Sequence, residues 1–124
     1  MVVNLELAGD ICILRLHGRF ATGQDTAYLR VKTEEVKKCG RSKVLADFSE
    51  VSYIDSTGIG FLIGIYTSVT KNPDGMFVVA KPGHRVCEVL ELCKLDTVIP
   101  MFPDETSALQ ALKQDRKVGA PQAG

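Results

Sequence analysis

The chain has 124 residues, 45% of them hydrophobic, with 15 Lys and Arg balanced by 15 Asp and Glu. That length supports one core rather than two marginal ones, and a charged content of 24% excludes a disordered or fibrous chain. Zero formal net charge argues against strong non-specific affinity for nucleic acid or for acidic membranes.

Met1 leads into Val2-Val3-Asn4-Leu5-Glu6 without the basic start and unbroken apolar stretch of an export signal. Leu5 and Leu7, then Ile11, Ile13, Leu14 and Leu16, predict two strands joined as a hairpin through Ala8-Gly9-Asp10. From Thr22 to Lys38 the pattern is helical, with Thr22 or Asp25 as N-cap, Leu29, Thr33 and Val36 on one stripe, and Gly40 as a left-handed stop. Lys43 to Phe48 reads as a buried strand, followed by Val51-Ser52-Tyr53-Ile54 and an uncharged helix reaching Thr70. Asn72-Pro73-Asp74-Gly75 is a turn, and Met76 to Ala80 is a second buried strand. After Pro82-Gly83 a helix places Val86, Val89, Leu90 and Cys93 on one face. Thr97-Val98-Ile99 reads as a short strand and Glu105 to Lys113 as a closing helix, with residues 114 to 124 a polar, disordered tail.

Buried strands separated by helices require crossover connections, which puts parallel strands at the centre of one sheet. The expectation is a single α/β domain over residues 1–113. It has a mixed four- to five-stranded sheet and about four helices mainly on one face. The longest uncharged run, Ser56 to Thr70, is too short and too rich in Ser, Thr and Gly to span a bilayer. Cys12, Cys39, Cys87 and Cys93 form no CxxC pair, so reduced thiols in a cytoplasmic protein are the simplest reading.

The segment carrying chemistry is Ile54-Asp55-Ser56-Thr57-Gly58-Ile59-Gly60-Phe61-Leu62-Ile63-Gly64. It places two hydroxyls and two glycines where an apolar run meets a helix start, with its unpaired N–H groups and partial positive charge. A hydroxyl there caps the helix or carries a phosphate, and both readings stand at this level. Gly58 and Gly60 remove bulk around Ser56. The helix has no charge on any side, and Phe61 and Ile65 fall off the stripe of Ile59, Leu62, Ile63 and Tyr66. Such a helix is either fully buried or turns a second face to a partner.

The run Tyr53-Ile54-Asp55-Ser56-Thr57-Gly58-Ile59-Gly60 resembles the signature of STAS domains, specifically bacterial anti-sigma factor antagonists. The resemblance extends through Leu16-His17-Gly18, Lys43 to Phe48, Met76 to Val79 and the helix from Glu105 to Leu112. It implies a non-enzymatic partner-switching regulator. When unphosphorylated, such a protein binds an anti-sigma factor that is also a serine kinase, freeing the sigma factor. Phosphorylation of the serine matching Ser56 releases it, and a PP2C-type phosphatase restores it. Thr57 is the second candidate acceptor. The implied partner surface is Asp55, Ser56, Thr57, Gly58, Phe61 and Ile65, with Phe20 and Thr22 from the neighbouring loop. No cofactor, metal, nucleic acid or membrane is implied, and the chain is expected to be a monomer or weak dimer. The alternative is a STAS interaction module of a stressosome-type or transporter-associated complex, without phosphotransfer at Ser56.

Two positions depart from the family pattern. Gly18-Arg19-Phe20-Ala21 stands where relatives commonly have Gly-Glu-Leu-Asp, so Ala21 lacks an acid that Asp25 would have to replace from a different spacing. Ile65 stands where a basic or polar residue is frequent. Enzyme readings fit less well. The glycines Gly58, Gly60 and Gly64 lack the ribose-binding acid of a dinucleotide site, since the next strand ends Val79-Ala80-Lys81. Ser56 lacks a GxSxG elbow, with only His17 and His84 as bases. His84 and Cys87 share a helical face but complete no metal set.

Overall fold

The computed structural model describes residues 1–21, 23 and 25–114. Strands β1 (Val2–Ala8) and β2 (Ile11–Phe20) form the hairpin, antiparallel across the two-residue turn Gly9-Asp10. Helix α1 (Thr26–Lys38) crosses to β3 (Lys43–Ile54), α2 (Ser56–Thr70) to β4 (Met76–Ala80), and α3 (His84–Leu92) with a 3-10 turn at Leu95–Thr97 to β5 (Met101–Phe102). Helix α4 (Glu105–Lys113) closes the described chain. The sheet runs in the order β1-β2-β3-β4-β5, with every neighbouring pair after the first parallel. The single mixed α/β sheet expected from the sequence is therefore present. Gln114 caps the last helix, and the rest of the expected tail, 115 to 124, lies outside the described residues.

Strand alternation sorts side chains to two faces. Cys12, Leu14 and Leu16 of β2, Val44, Ala46 and Phe48 of β3, and Phe77 and Val79 of β4 face the larger core, beneath α1, α2 and α3. Ile11, Ile13, Leu45, Met76, Val78 and Ala80 face the other side, where Ala108 and Leu112 of α4 cover them. Three helices share one face and one lies on the opposite side. The second face is also held by charge. The Arg15 guanidinium meets the carboxylates of Glu6 (3.2 Å), Asp47 (2.9 Å) and Glu105, joining β1, β2, β3 and α4.

Three local expectations change. No strand forms at Thr97–Ile99, which is the end of the 3-10 turn Leu95–Thr97 and the bend after it; the fifth strand is Met101–Phe102. Lys94 enters a left-handed conformation (φ 63°) after α3, and the Thr97 hydroxyl donates to its carbonyl at 2.6 Å, which coils this stretch. Ile99 is buried as a plug rather than as a strand residue, and pairing begins when Val79 N–H donates to the Pro100 carbonyl. Cys93, expected on the buried face of α3, is exposed as its C-cap. Lys43 to Ile54 is one continuous strand, with the register shifts against β2 lying between Arg15 and His17 and between Gly18 and Arg19.

Candidate functional site

Both parallel strands at the sheet centre end at the same edge, where Asp55 N–H donates to the Phe20 carbonyl at 3.1 Å. Helix α2 springs from this junction. Asp55 is its N-cap: the backbone is extended, and Oδ1 accepts from Thr57 N–H at 3.0 Å while the carbonyl accepts from Ile59 N–H at 2.9 Å. The cap role therefore falls on Asp55. Ser56, the first helical residue, is exposed, and among the described residues no hydrogen bond engages its hydroxyl. It sits at the N-terminal turn of α2, where the helix dipole favours negative charge. Thr57 is half-buried.

Gly58 is required by packing. A Cβ there would lie 2.4 Å from Ile54 Cγ1 and 2.8 Å from Phe20 Cβ, so the helix can press onto the strand ends only through a glycine. Phe20 stacks on Phe61 with ring centroids 6.3 Å apart, filling the space below. Gly60 and Gly64 differ: a Cβ at either position would meet nothing within 4 Å. They floor an open groove of about 510 Å³ between α2 and α1, whose walls include Ser56, Phe61, Leu29, Arg30, Thr33 and Lys37.

The expected partner surface is thus only partly accessible. Ser56 is exposed and Asp55 and Thr57 are half-buried, but Gly58, Phe20, Phe61 and Ile65 are buried. Phe61 and Ile65, at 6% and 0% exposure, belong with Leu62 and Val69 to the face against the sheet and α1, correcting the expectation that they point outward. The face turned out instead carries Ile63, 44% exposed, with Ile59 and Tyr66 half-buried beside it. Thr22 lies outside the described residues.

Ala21, at the position where the family pattern has an acid, is buried. Asp25 is the N-cap of α1, its carboxylate accepting from Tyr28 N–H at 3.1 Å. Next to the junction, the Arg19 guanidinium lies 4.3 Å from the Tyr53 ring centroid, a cation–π contact at the rim. His84, weighed as a base or ligand, pairs with Glu88 on the surface of α3 at 3.3 Å, on an element other than the one that carries Ser56. Residues missed from the sequence are those of α1: Arg30, Thr33 and Lys37. Parallel crossover helices place equivalent turns side by side, and that rule would have aligned α1 with α2.

No helix among the described residues is long and apolar enough to cross a membrane. The fold is shared with solved structures. A Thermotoga maritima protein, TM1081, superposes with a TM-score of 0.81 at 22% identity, covering 90% of this chain and 94% of that one. The anti-sigma factor antagonist SpoIIAA superposes in its unphosphorylated form with a TM-score of 0.75 at 17% identity, covering 91% and 97% of the two chains. The phosphorylated form of this Bacillus cell fate determinant gives 0.68 at 19%, covering 90% and 99%. In sequence, the anti-sigma F factor antagonist of Paenibacillus polymyxa is 22% identical over 113 residues, 90% of this chain and 94% of that protein. The STAS domain profile matches residues 2–108, and the chain belongs to the STAS domain family.

Proposed function

We propose that this chain is an anti-sigma factor antagonist working in the cytoplasm by partner switching, without catalysis of its own. Unphosphorylated, it binds an anti-sigma factor that is also a serine kinase, and so frees a sigma factor for transcription. The kinase transfers the γ-phosphoryl group of ATP to Ser56 Oγ, ADP leaves, and the hydroxyl proton passes to a base of the kinase. The phosphorylated chain is released, and a PP2C-type phosphatase hydrolyses the ester to regenerate the serine.

The observation that carries this reading is the division of roles at the start of α2: Asp55 holds the cap, while Ser56 stands exposed beside a groove with its hydroxyl unengaged among the described residues. A phosphate adds about 1.5 to 2 negative charges. The helix N-terminus accommodates that charge, so the fold persists. A docked partner does not, because desolvating a phosphate within an otherwise uncharged interface opposes binding. Exposed Ser56 is a better acceptor than half-buried Thr57. The contact surface centres on Ser56, Thr57, Ile59, Gly60 and Ile63, with Gly58, Phe20, Phe61 and Ile65 supporting it from beneath.

The test is incubation with candidate anti-sigma kinases and ATP, followed by mapping of phosphate by mass spectrometry. Phosphate is expected on Ser56 and absent in Ser56→Ala. Ser56→Asp is expected to weaken kinase binding by roughly ten-fold or more, about 1.4 kcal/mol. Wild-type affinity in Ser56→Asp would overturn the switch. Binding to a partner without phosphate on Ser56 would point instead to a STAS module of a stressosome-type or transporter-associated complex.

A further inference from the structure

The groove between α1 and α2 has a feature that docking alone does not explain. Its floor is the glycine pair Gly60 and Gly64, which neither a close contact nor a left-handed backbone requires. Each costs a helix interior roughly 0.5–1 kcal/mol relative to alanine. Its α1 wall carries two cations, Arg30 and Lys37. Lys37 is committed to Glu34 on the same wall at 3.0 Å. Of the acids nearby, Glu34 is held by that lysine, and Asp55 accepts from Thr57 N–H. Arg19, the other cation near the junction, lies over Tyr53. Among the described residues Arg30 has no ion-pair or hydrogen-bond partner.

Position favours Arg30 over Lys37. Helices α1 and α2 each follow one of two neighbouring parallel strands, so they run in the same direction. Arg30 lines the groove together with Ser56 and Gly60, and helical side chains lean toward their N-terminus, which in two helices of like direction is the Ser56 end of the groove. Lys37 lies two turns further along α1, about 10 Å from Arg30, and also borders the hollow beside Ser68, Val69 and Asn72 at the far end of α2. A Cβ at Gly60 would meet nothing within 4 Å, so the groove is open there.

The geometry points to Arg30 as the residue that receives the phosphate of modified Ser56, laying its guanidinium over Gly60 and closing the groove with a side chain of the same chain. This assignment rests on Ser56 being the acceptor. It adds an internal component to the switch: the modified site is occupied from within as well as charged. A planar guanidinium suits this role because it binds phosphate oxygens in a bidentate fork.

The experiment uses the full chain with phosphoserine incorporated at position 56 by genetic encoding, so no kinase is needed. The second phosphate ionisation is followed by 31P NMR, and the Arg30 Nε–H signal by 1H–15N NMR. The Arg30 signal is expected to move when Ser56 carries phosphate. The phosphate in the wild-type chain is expected to ionise lower than in Arg30→Ala by about half a unit or more, since a nearby opposite charge favours the ionised form. Arg30→Lys is expected to recover part of that shift. Superimposable titrations in wild type and Arg30→Ala, or an unmoved Arg30 signal, would overturn the assignment. Failure of every kinase to modify Ser56 would instead count against the functional reading and leave the titration result unaffected.

Discussion

At Gly58 and Gly60, two residues apart in one helix, the same amino acid answers opposite demands. Gly58 lies against Ile54 and Phe20 with no room for a methyl group, whereas Gly60 faces an open groove. Gly58→Ala is therefore expected to destabilise the fold by about 1–3 kcal/mol through overpacking. Gly60→Ala is expected to stabilise it by roughly 0.5–1 kcal/mol while weakening partner binding. Urea unfolding of the two variants beside a binding assay checks both signs. Equal destabilisation would place both glycines in the packed interior. The sequence distinguishes neither glycine from the other, because the difference arises from what each faces after β2 and β3 have brought Phe20 and Ile54 together. The pairing of Asp55 with Ser56 is similar: both residue types cap helices, and only the Thr57 N–H bond to Asp55 reveals which does so.

At the scale of elements, the long edge of the sheet is partly closed by a helix. β1 pairs on one side only, and its Val3 is contacted by α1: the Tyr28 hydroxyl accepts from Val3 N–H at 2.9 Å and donates to the Val3 carbonyl at 3.3 Å. An unpaired strand edge is a template for association, and this contact occupies one position of it. Tyr28→Phe removes both bonds at nearly constant volume. A loss of about 1 kcal/mol is expected, together with faster hydrogen exchange at the Val3 amide. Unchanged exchange there would show that water replaces the hydroxyl at no cost. Element identity was legible wherever a sequence carried two signals at once, as at Met76–Ala80 between a turn and Pro82-Gly83. Helix α2 carried only one. With no charged residue from Ser56 to Thr70, nothing in its own sequence says which side is outward. Its rotation is set by the fit of Gly58 on the strand ends, which turns Phe61 and Ile65 inward and Ile63 outward.

For the whole molecule, the topology followed from the sequence because hairpin and crossover rules leave few ways to arrange alternating strands and helices. The charged tie that holds α4 to the second face did not. Arg15 sits in a strand where its neighbours are apolar, and its partners Glu6, Asp47 and Glu105 are distributed over three elements. Burial pushes the Asp47 carboxyl up, but hydrogen bonds from the Ser49 backbone and hydroxyl and from Arg15 outweigh this, so it titrates below its ordinary value. The unfolded carboxyl titrates near about 3.9, higher than the folded one. Its stabilising contribution is thus complete above that value and is lost as pH falls through the lower, folded one. Urea midpoints are expected to be steady above about pH 5 and to fall in the acid range, and Asp47→Asn should flatten part of that fall. An identical acid slope in wild type and Asp47→Asn would remove the carboxyl from the account. Arg15, held by its three carboxylates, stays charged throughout.

The separation of Asp55 from Ser56 also bears on how such a protein can diverge. The side chain that caps α2 and the side chain proposed to take the phosphate are adjacent but distinct, so substitution at Ser56 leaves the helix cap intact. A lineage can lose, regain or exchange its phosphoacceptor by single codon changes without passing through a poorly folded ancestor. Under the proposed function, regulation at this site can change without a change in the scaffold.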